Sequence, residues 1–188
     1  MVATITINRL TGPAGTIVES DITSINTRAN TADAQSTNDT ASPIEIPSGA
    51  DNYSYWVNTQ LDCTTTPDNL VDNLEWYTDG VNSYGTGITC LVAQAARASY
   101  TQAAGTPGVT GTQLNDTNYT GGTLTPATPT DAFAKVTGAA LAVTGSIANP
   151  STGAFGNIVV YQVVVASTAT PGTKPAAPET WTWRYDET

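Results

Sequence analysis

The sequence predicts an all-β protein: an antiparallel β-sandwich, immunoglobulin-like or jelly-roll, with long polar loops and an N-terminal arm. Three observations carry this. The first is Ile158–Ala166, the longest apolar run in the chain. Its β-branched residues are stiff at χ1 and pack well on a pleated surface. Extended, it spans about 30 Å at roughly 3.3 Å per residue. Ile158, Val160 and Val164 fall on one face, and Val159, Tyr161, Val163 and Val165 on the other. Such a strand needs cover on both sides, from a facing sheet and from a loop, a helix or another subunit. The second observation is the alternation over Tyr53–Cys63, which places Tyr53, Tyr55, Val57, Thr59, Leu61 and Cys63 on one face. A period of two makes this a half-buried strand. The third is composition. Lys, Glu and Leu, good surface helix formers, are few, whereas Gly, Pro, Thr, Ala and Asn are abundant.

Taken in order, Thr4–Leu10 reads as a first strand, with Ile5 and Ile7 on one face, ended by Gly12-Pro13 and Gly15. Ile17-Val18 and Ile22 suit a second short strand. Thr23–Ser42 is almost wholly small and polar, with Ile25 its one large aliphatic residue. Twenty structureless residues inside a compact domain are improbable, so this stretch reads as an arm on a partner or a linker. Ile44 and Ile46 alternate before Pro47. The division expected is 1–47 for the N-terminal strands and polar arm, and 48–188 for the sandwich. Within the latter, Leu70-Val71 and then Leu74–Tyr77 carry the next apolar positions, Ile88–Ala93 resumes as a strand, and Ala95–Tyr100 suits a short helical turn. Thr101–Thr130 is a polar, glycine-rich excursion with Val109, Leu114, Tyr119 and Leu124 as anchors. Asp131–Val136 reads as one or two helical turns with Asp131 as N-cap. Ala139–Val143 suits a strand, Pro171–Pro178 a turn region, and Trp181–Tyr185 a final alternating strand.

Charge and composition exclude several functions. Sixteen acidic against six basic residues give a net charge of −10, with no basic cluster. Phosphate contact supplies much of nucleic-acid affinity, so DNA and RNA are unsuited partners. The chain has no His, which removes the commonest general base and zinc ligand, and with them any Ser-His-Asp or Cys-His arrangement. No apolar run has the length of a membrane span. The start, Met-Val-Ala-Thr-Ile-Thr-Ile-Asn-Arg, lacks the basic-then-apolar pattern of an export signal, so folding where the chain is made is expected.

The chemistry-bearing residues are few. Cys63 and Cys90 read as buried small hydrophobes kept reduced; a disulfide between them would close a loop of roughly 28 residues. Asp68, Asp72, Glu75 and Asp79 are the densest carboxylates, and without a sign of burial they read as turn caps and solvated charge rather than a glycosidase pair. Asp79–Asn82 and Asp116–Asn118 could each donate oxygens to calcium, but neither matches an EF-hand loop. No catalytic residue, cofactor or metal is assigned. The N-x-S/T matches at Asn38, Asn52, Asn115 and Asn118 carry no weight without secretion. The aromatics Trp56, Trp76, Trp181 and Trp183 suit either core and interface packing or a carbohydrate-stacking platform. Trp56, on the otherwise polar face of its strand, either covers a loop or stands in an interface, and is the interface candidate.

The segments Asn52-Tyr-Ser-Tyr-Trp-Val-Asn58, Asn73-Leu-Glu-Trp-Tyr-Thr-Asp-Gly80, Tyr161–Gly172 and Thr180-Trp-Thr-Trp-Arg-Tyr-Asp-Glu187 resemble small β-rich structural proteins of tailed bacteriophage particles, including head decoration (cement) proteins. The resemblance covers residues 50–188 and rests on short phrases, with no catalytic signature. It implies a non-enzymatic virion protein, made in the host cytoplasm. Such a protein binds the major capsid protein or other virion proteins and stabilises the head shell, commonly as a dimer or trimer. A carbohydrate-binding β-sandwich module and a tail or adhesion component are the alternatives.

Overall fold

The computed structural model describes residues 2–38, 40–103, 112–172 and 179–188. The anchor Val109 and residues 173–178 of the second turn region lie outside them. The strands among the described residues are β1 (Thr4–Thr11), β2 (Val18–Asp21), β3 (Asn52–Tyr53), β4 (Val57–Thr65), β5 (Leu70–Thr78), β6 (Ile88–Ala95), β7 (Thr125–Asp131), β8 (Leu141–Ala142), β9 (Ile147–Ala148), β10 (Gly153–Val165) and β11 (Trp181–Glu187). They form two antiparallel sheets. The larger runs β2-β1-β4-β10-β6-β7, with β3 also on β10; the smaller runs β11-β5-β8, with β9 also on β5.

The long apolar run lies in β10, between β4 and β6, where both edges are hydrogen-bonded. Its two faces find different cover. Val159, Tyr161, Val163 and Val165 enter a core with Val57, Leu61, Val71, Leu74, Trp76 and Cys90, drawn from both sheets. Val160, on the opposite face, packs with Trp56, Ala93, Leu114, Tyr119 and Leu124, and Ile158 with Leu10 and Tyr100. The second face is therefore covered by the chain's own polar excursion rather than by a helix. The excursion is apolar only at the few anchors that touch the sheet.

The alternating stretch differs from expectation in two ways. It is broken at Ser54–Trp56, giving β3 and β4. It is also buried on both faces, because Asn58 and Gln60 are as inaccessible as Val57 and Leu61. Buried amides are tolerated when hydrogen-bonded. Gln60 shows how. Between Phe155, opposite Leu61, and Val159, opposite Thr59, the register of β10 slips, the signature of a β-bulge. The Gln60 side chain fills that gap and donates to the Gly156 carbonyl at 2.6 Å, while Arg97 donates to its Oε1. Gly156 sits there with φ +69°, and Gly145 packs so closely that an added Cβ would lie 2.4 Å from the Gly156 Cα. On β5 a similar slip occurs at Asn73, with φ +49°, a conformation Asn tolerates better than most residues.

β7 falls almost wholly inside the polar, glycine-rich excursion 101–130. It carries two prolines and occupies a sheet edge, the place where missing N–H donors are admissible. The turn after it follows expectation: Asp131 accepts the Phe133 N–H at 3.0 Å, opening the 3₁₀ turn Ala132–Ala134. Another 3₁₀ turn, Arg97–Ser99, stands where the helical turn was expected. Ile44 and Ile46 form no strand.

The described residues of the stretch 23–42 have no strand or helix, yet the stretch is fastened to its own domain. The Tyr55 N–H donates to the Asn30 carbonyl at 2.9 Å. The Gly12 N–H donates to Asp33 at 2.7 Å, and Arg9 to Thr27 Oγ1 and the Arg28 carbonyl, both at 2.7 Å. Side-chain and backbone hydrogen bonds do the work that apolar residues would do in a richer sequence.

Candidate functional site: the cavity between the two sheets

The interface candidate from the sequence is buried. Trp56 is 1% exposed. Its ring meets Tyr119 at 5.3 Å, tilted by 34°, and its Nε1 donates to the Thr112 carbonyl at 3.2 Å. The ring covers a loop of its own chain and is buried there.

The acidic candidates fasten their own segments. Asp79 accepts the Val81 N–H, Asn82 accepts that of Tyr84, and Asp116 accepts that of Leu124 at 2.6 Å. Glu75 is paired with Arg184. Among the described residues no group of three or more Cys, Asp or Glu side chains is placed to hold a metal ion. Cys63 and Cys90 are buried and unpaired, and burial pushes both thiols up from their ordinary pKa. Nucleophilic chemistry needs the opposite shift.

The feature left is a cavity of about 350 Å³, lined from the larger sheet by Ile7, Thr59 and Tyr161, from the smaller by Trp76, Trp181 and Trp183, and closed along one side by Ile22–Ala29, with Tyr84 and Glu179 completing the wall. Its volume is in the range of small-molecule sites. Trp181 is the hub of its aromatic wall. Tyr161 stands edge-on to it at 4.0 Å and 78°, and Trp76 at 5.4 Å and 82°. Alternation along β11 brings Trp181 and Trp183 to the face of the common core, where they are half-buried. A neighbouring cavity of about 580 Å³, mainly apolar, is lined by Ile44, Ile46, Val163, Val165 and Pro171, and shares Arg28 and Tyr84.

The polar chemistry of the first cavity is unbalanced. Arg9 is fully buried, on the same β1 face as Ile7 and opposite Thr59. Its Nη1 is bonded to the cavity wall, but its Nε and Nη2 have no hydrogen-bond partner among the described residues; the same holds for Arg28 Nε and Trp181 Nε1. Each buried donor left unpaired costs about 1–3 kcal/mol. Burial lowers the Arg9 pKa, opposed by the field of Tyr161 and of Asp33. Asp33 is in turn raised by burial, against its bonds from Gly12 and Gln102. Several nearby acceptors take other donors: Thr23 Oγ1 takes the Ile7 N–H, Thr27 Oγ1 takes Arg9, and Glu179 Oε1 takes the Ser83 N–H, leaving its carboxylate further acceptor capacity. The cavity is thus a donor-rich, aromatic-walled space.

Sequence reasoning singled out Trp181 and Trp183 but missed Arg9, Arg28 and Tyr84. One signal was available. Arg9 continues the Ile5-Ile7 alternation, which places a guanidinium on an inward face.

The arrangement defines an all-β, two-sheet chain with a donor-rich inter-sheet cavity. Comparison with known protein families, curated proteins and solved structures finds no match.

Proposed function

We propose that this chain is a non-enzymatic structural protein of a bacteriophage particle, of the head decoration (cement) kind. We read its two sheets as the halves of a β-sandwich, immunoglobulin-like or jelly-roll. It binds the major capsid protein or other virion proteins and reinforces the shell, as a dimer or trimer, and it engages neither nucleic acid nor membrane. The observation that carries this reading is the way the chain's polar excursions are tied down. Residues 23–42 and the cover over the second face of β10 are held by side-chain-to-backbone bonds that involve Asp33, Gln102 and Gln162. The result is a loop-clad unit whose buried polar groups serve fastening. The phrases that resemble phage structural proteins fall on β3–β4, β5, β10 and β11, the strands that build the common core.

A carbohydrate-binding module is the second reading, favoured by the aromatic wall of the cavity. It is the weaker one. The Trp76–Trp181 and Tyr161–Trp181 pairs meet near right angles, and sugar stacking needs a flat exposed ring face.

The test is co-sedimentation of the purified protein with phage heads stripped of accessory proteins, with light scattering for its own mass. Saturable binding at a fixed ratio to the major capsid protein is expected. A monomer that binds no head but is retained on a glycan array would replace this reading with the second.

A further inference from the structure

We propose that the inter-sheet cavity is a binding site for a compact organic anion, a carboxylate carried on a planar or apolar body. The inference stands apart from the virion reading and survives its failure. It begins from a surplus of donors. Arg28 Nε and Trp181 Nε1 belong to side chains lining the cavity, and both are buried without a partner among the described residues. Arg9, buried outside that lining, has two more unpartnered nitrogens, and its Nη1 grips the lining residues Thr27 and Arg28, the latter at its carbonyl, which fixes the segment carrying Arg28.

The chemistry of the ligand follows from these groups. They donate only, so the ligand must accept. Two are guanidinium groups, which pair best with carboxylate or phosphate oxygens. Trp76, Tyr161, Trp183 and Ile7 give the wall a broad aromatic and aliphatic part, beside the polar side chains of Thr23, Asn26, Thr59 and Thr180 and the Glu179 carboxylate, from which the ligand's own carboxylate must stand apart at the Arg28 end. A bare, strongly hydrated anion would waste that wall, whereas a carboxylate on a flat apolar body uses both. The chain's charge of −10 repels anions at long range, so affinity must come from these contacts and should depend weakly on salt.

Benzoate is the probe, with benzyl alcohol as the uncharged body and inorganic phosphate as the anion without one. Calorimetry on the full chain should give saturable benzoate binding, with both controls at least about tenfold weaker, the scale of a hydrogen bond to a charged group. In a ¹⁵N spectrum the indole N–H signal of Trp181, assigned by its loss in Trp181→Phe, should shift on adding benzoate. Trp181→Phe and Arg28→Gln should each weaken benzoate about tenfold or more while keeping the free protein's circular dichroism. If Arg28→Gln does not fold, Arg28→Lys, which keeps the charge and loses Nε–H, takes its place with the same expectation. Absence of binding to the wild type, equal affinity in the variants, or benzyl alcohol binding as tightly as benzoate would each overturn the proposal.

Discussion

The side-chain oxygen of Gln162, in the middle of β10, accepts the Leu114 N–H at 2.7 Å across 48 residues of sequence. Its Nε2 donates to the carbonyls of Ser54 and Thr112, each at 2.9 Å. One buried amide thereby joins the central strand, the break between β3 and β4, and the excursion that roofs the sheet.

Gln162→Leu keeps the volume and removes the bonds, leaving the Leu114 N–H unpaired in the interior. A loss of roughly 2–4 kcal/mol is expected. Urea denaturation checks it, and a loss under about 0.5 kcal/mol would show that water replaces the amide without penalty.

Trp56→Ala removes a fully buried ring together with its contact to Tyr119. The expected cost is about 3–5 kcal/mol, larger than any effect on partner binding measured under conditions where the variant is folded. Trp56→Phe should retain most of that stability and lose the bond to Thr112. Melting curves of the two variants separate the packing from the hydrogen bond.

Excising residues 23–42 should destabilise the domain, contrary to the expectation for a free arm. The deletion takes away the acceptors of Arg9 Nη1, the Gly12 N–H and the Tyr55 N–H. At about 1–3 kcal/mol for each orphaned buried group, the sum is comparable with the whole stability of an ordinary domain. An excised variant that melts with the intact chain would mean that the segment contributes nothing to the fold.

Alkaline pH should unfold the protein cooperatively. Burial raises the phenols of Tyr84, Tyr100 and Tyr161, and that of Tyr119 to about 12, as well as both thiols. Each group holds its proton more tightly folded than unfolded. Its stabilisation is complete below the unfolded value, 9.0 for a thiol and 10.0 for a phenol, and is lost as pH rises through the folded one. Tyr119 alone accounts for roughly 2–3 kcal/mol. Phenolate absorbance and circular dichroism followed together from pH 8 to 12 should change in one transition. Ionisation of these tyrosines with the native spectrum intact would contradict it.

The sequence by itself determined the all-β class, the centrality of Ile158–Ala166, the Asp131 cap and the burial of both cysteines. Each rests on local periodicity or on a residue's intrinsic preference, which operate over a few neighbours. Only the tertiary structure decided what covers the second face of β10, because Leu114, Tyr119 and Leu124 are too sparse to announce a contact to a distant strand. It also decided that Asn58, Gln60 and Gln162 lie inside. An amide reads as surface until its partners, up to 108 residues away, are brought against it. Trp56 went from interface candidate to core for the same reason. The ring's surroundings come from residues 112–124, and alternation within one strand says nothing about them. The cavity was least legible of all. It is made by β1, β4, β5, β10, β11 and the 22–29 segment meeting in space, and its charged lining groups, Arg28 and Glu179, lie far apart in the sequence.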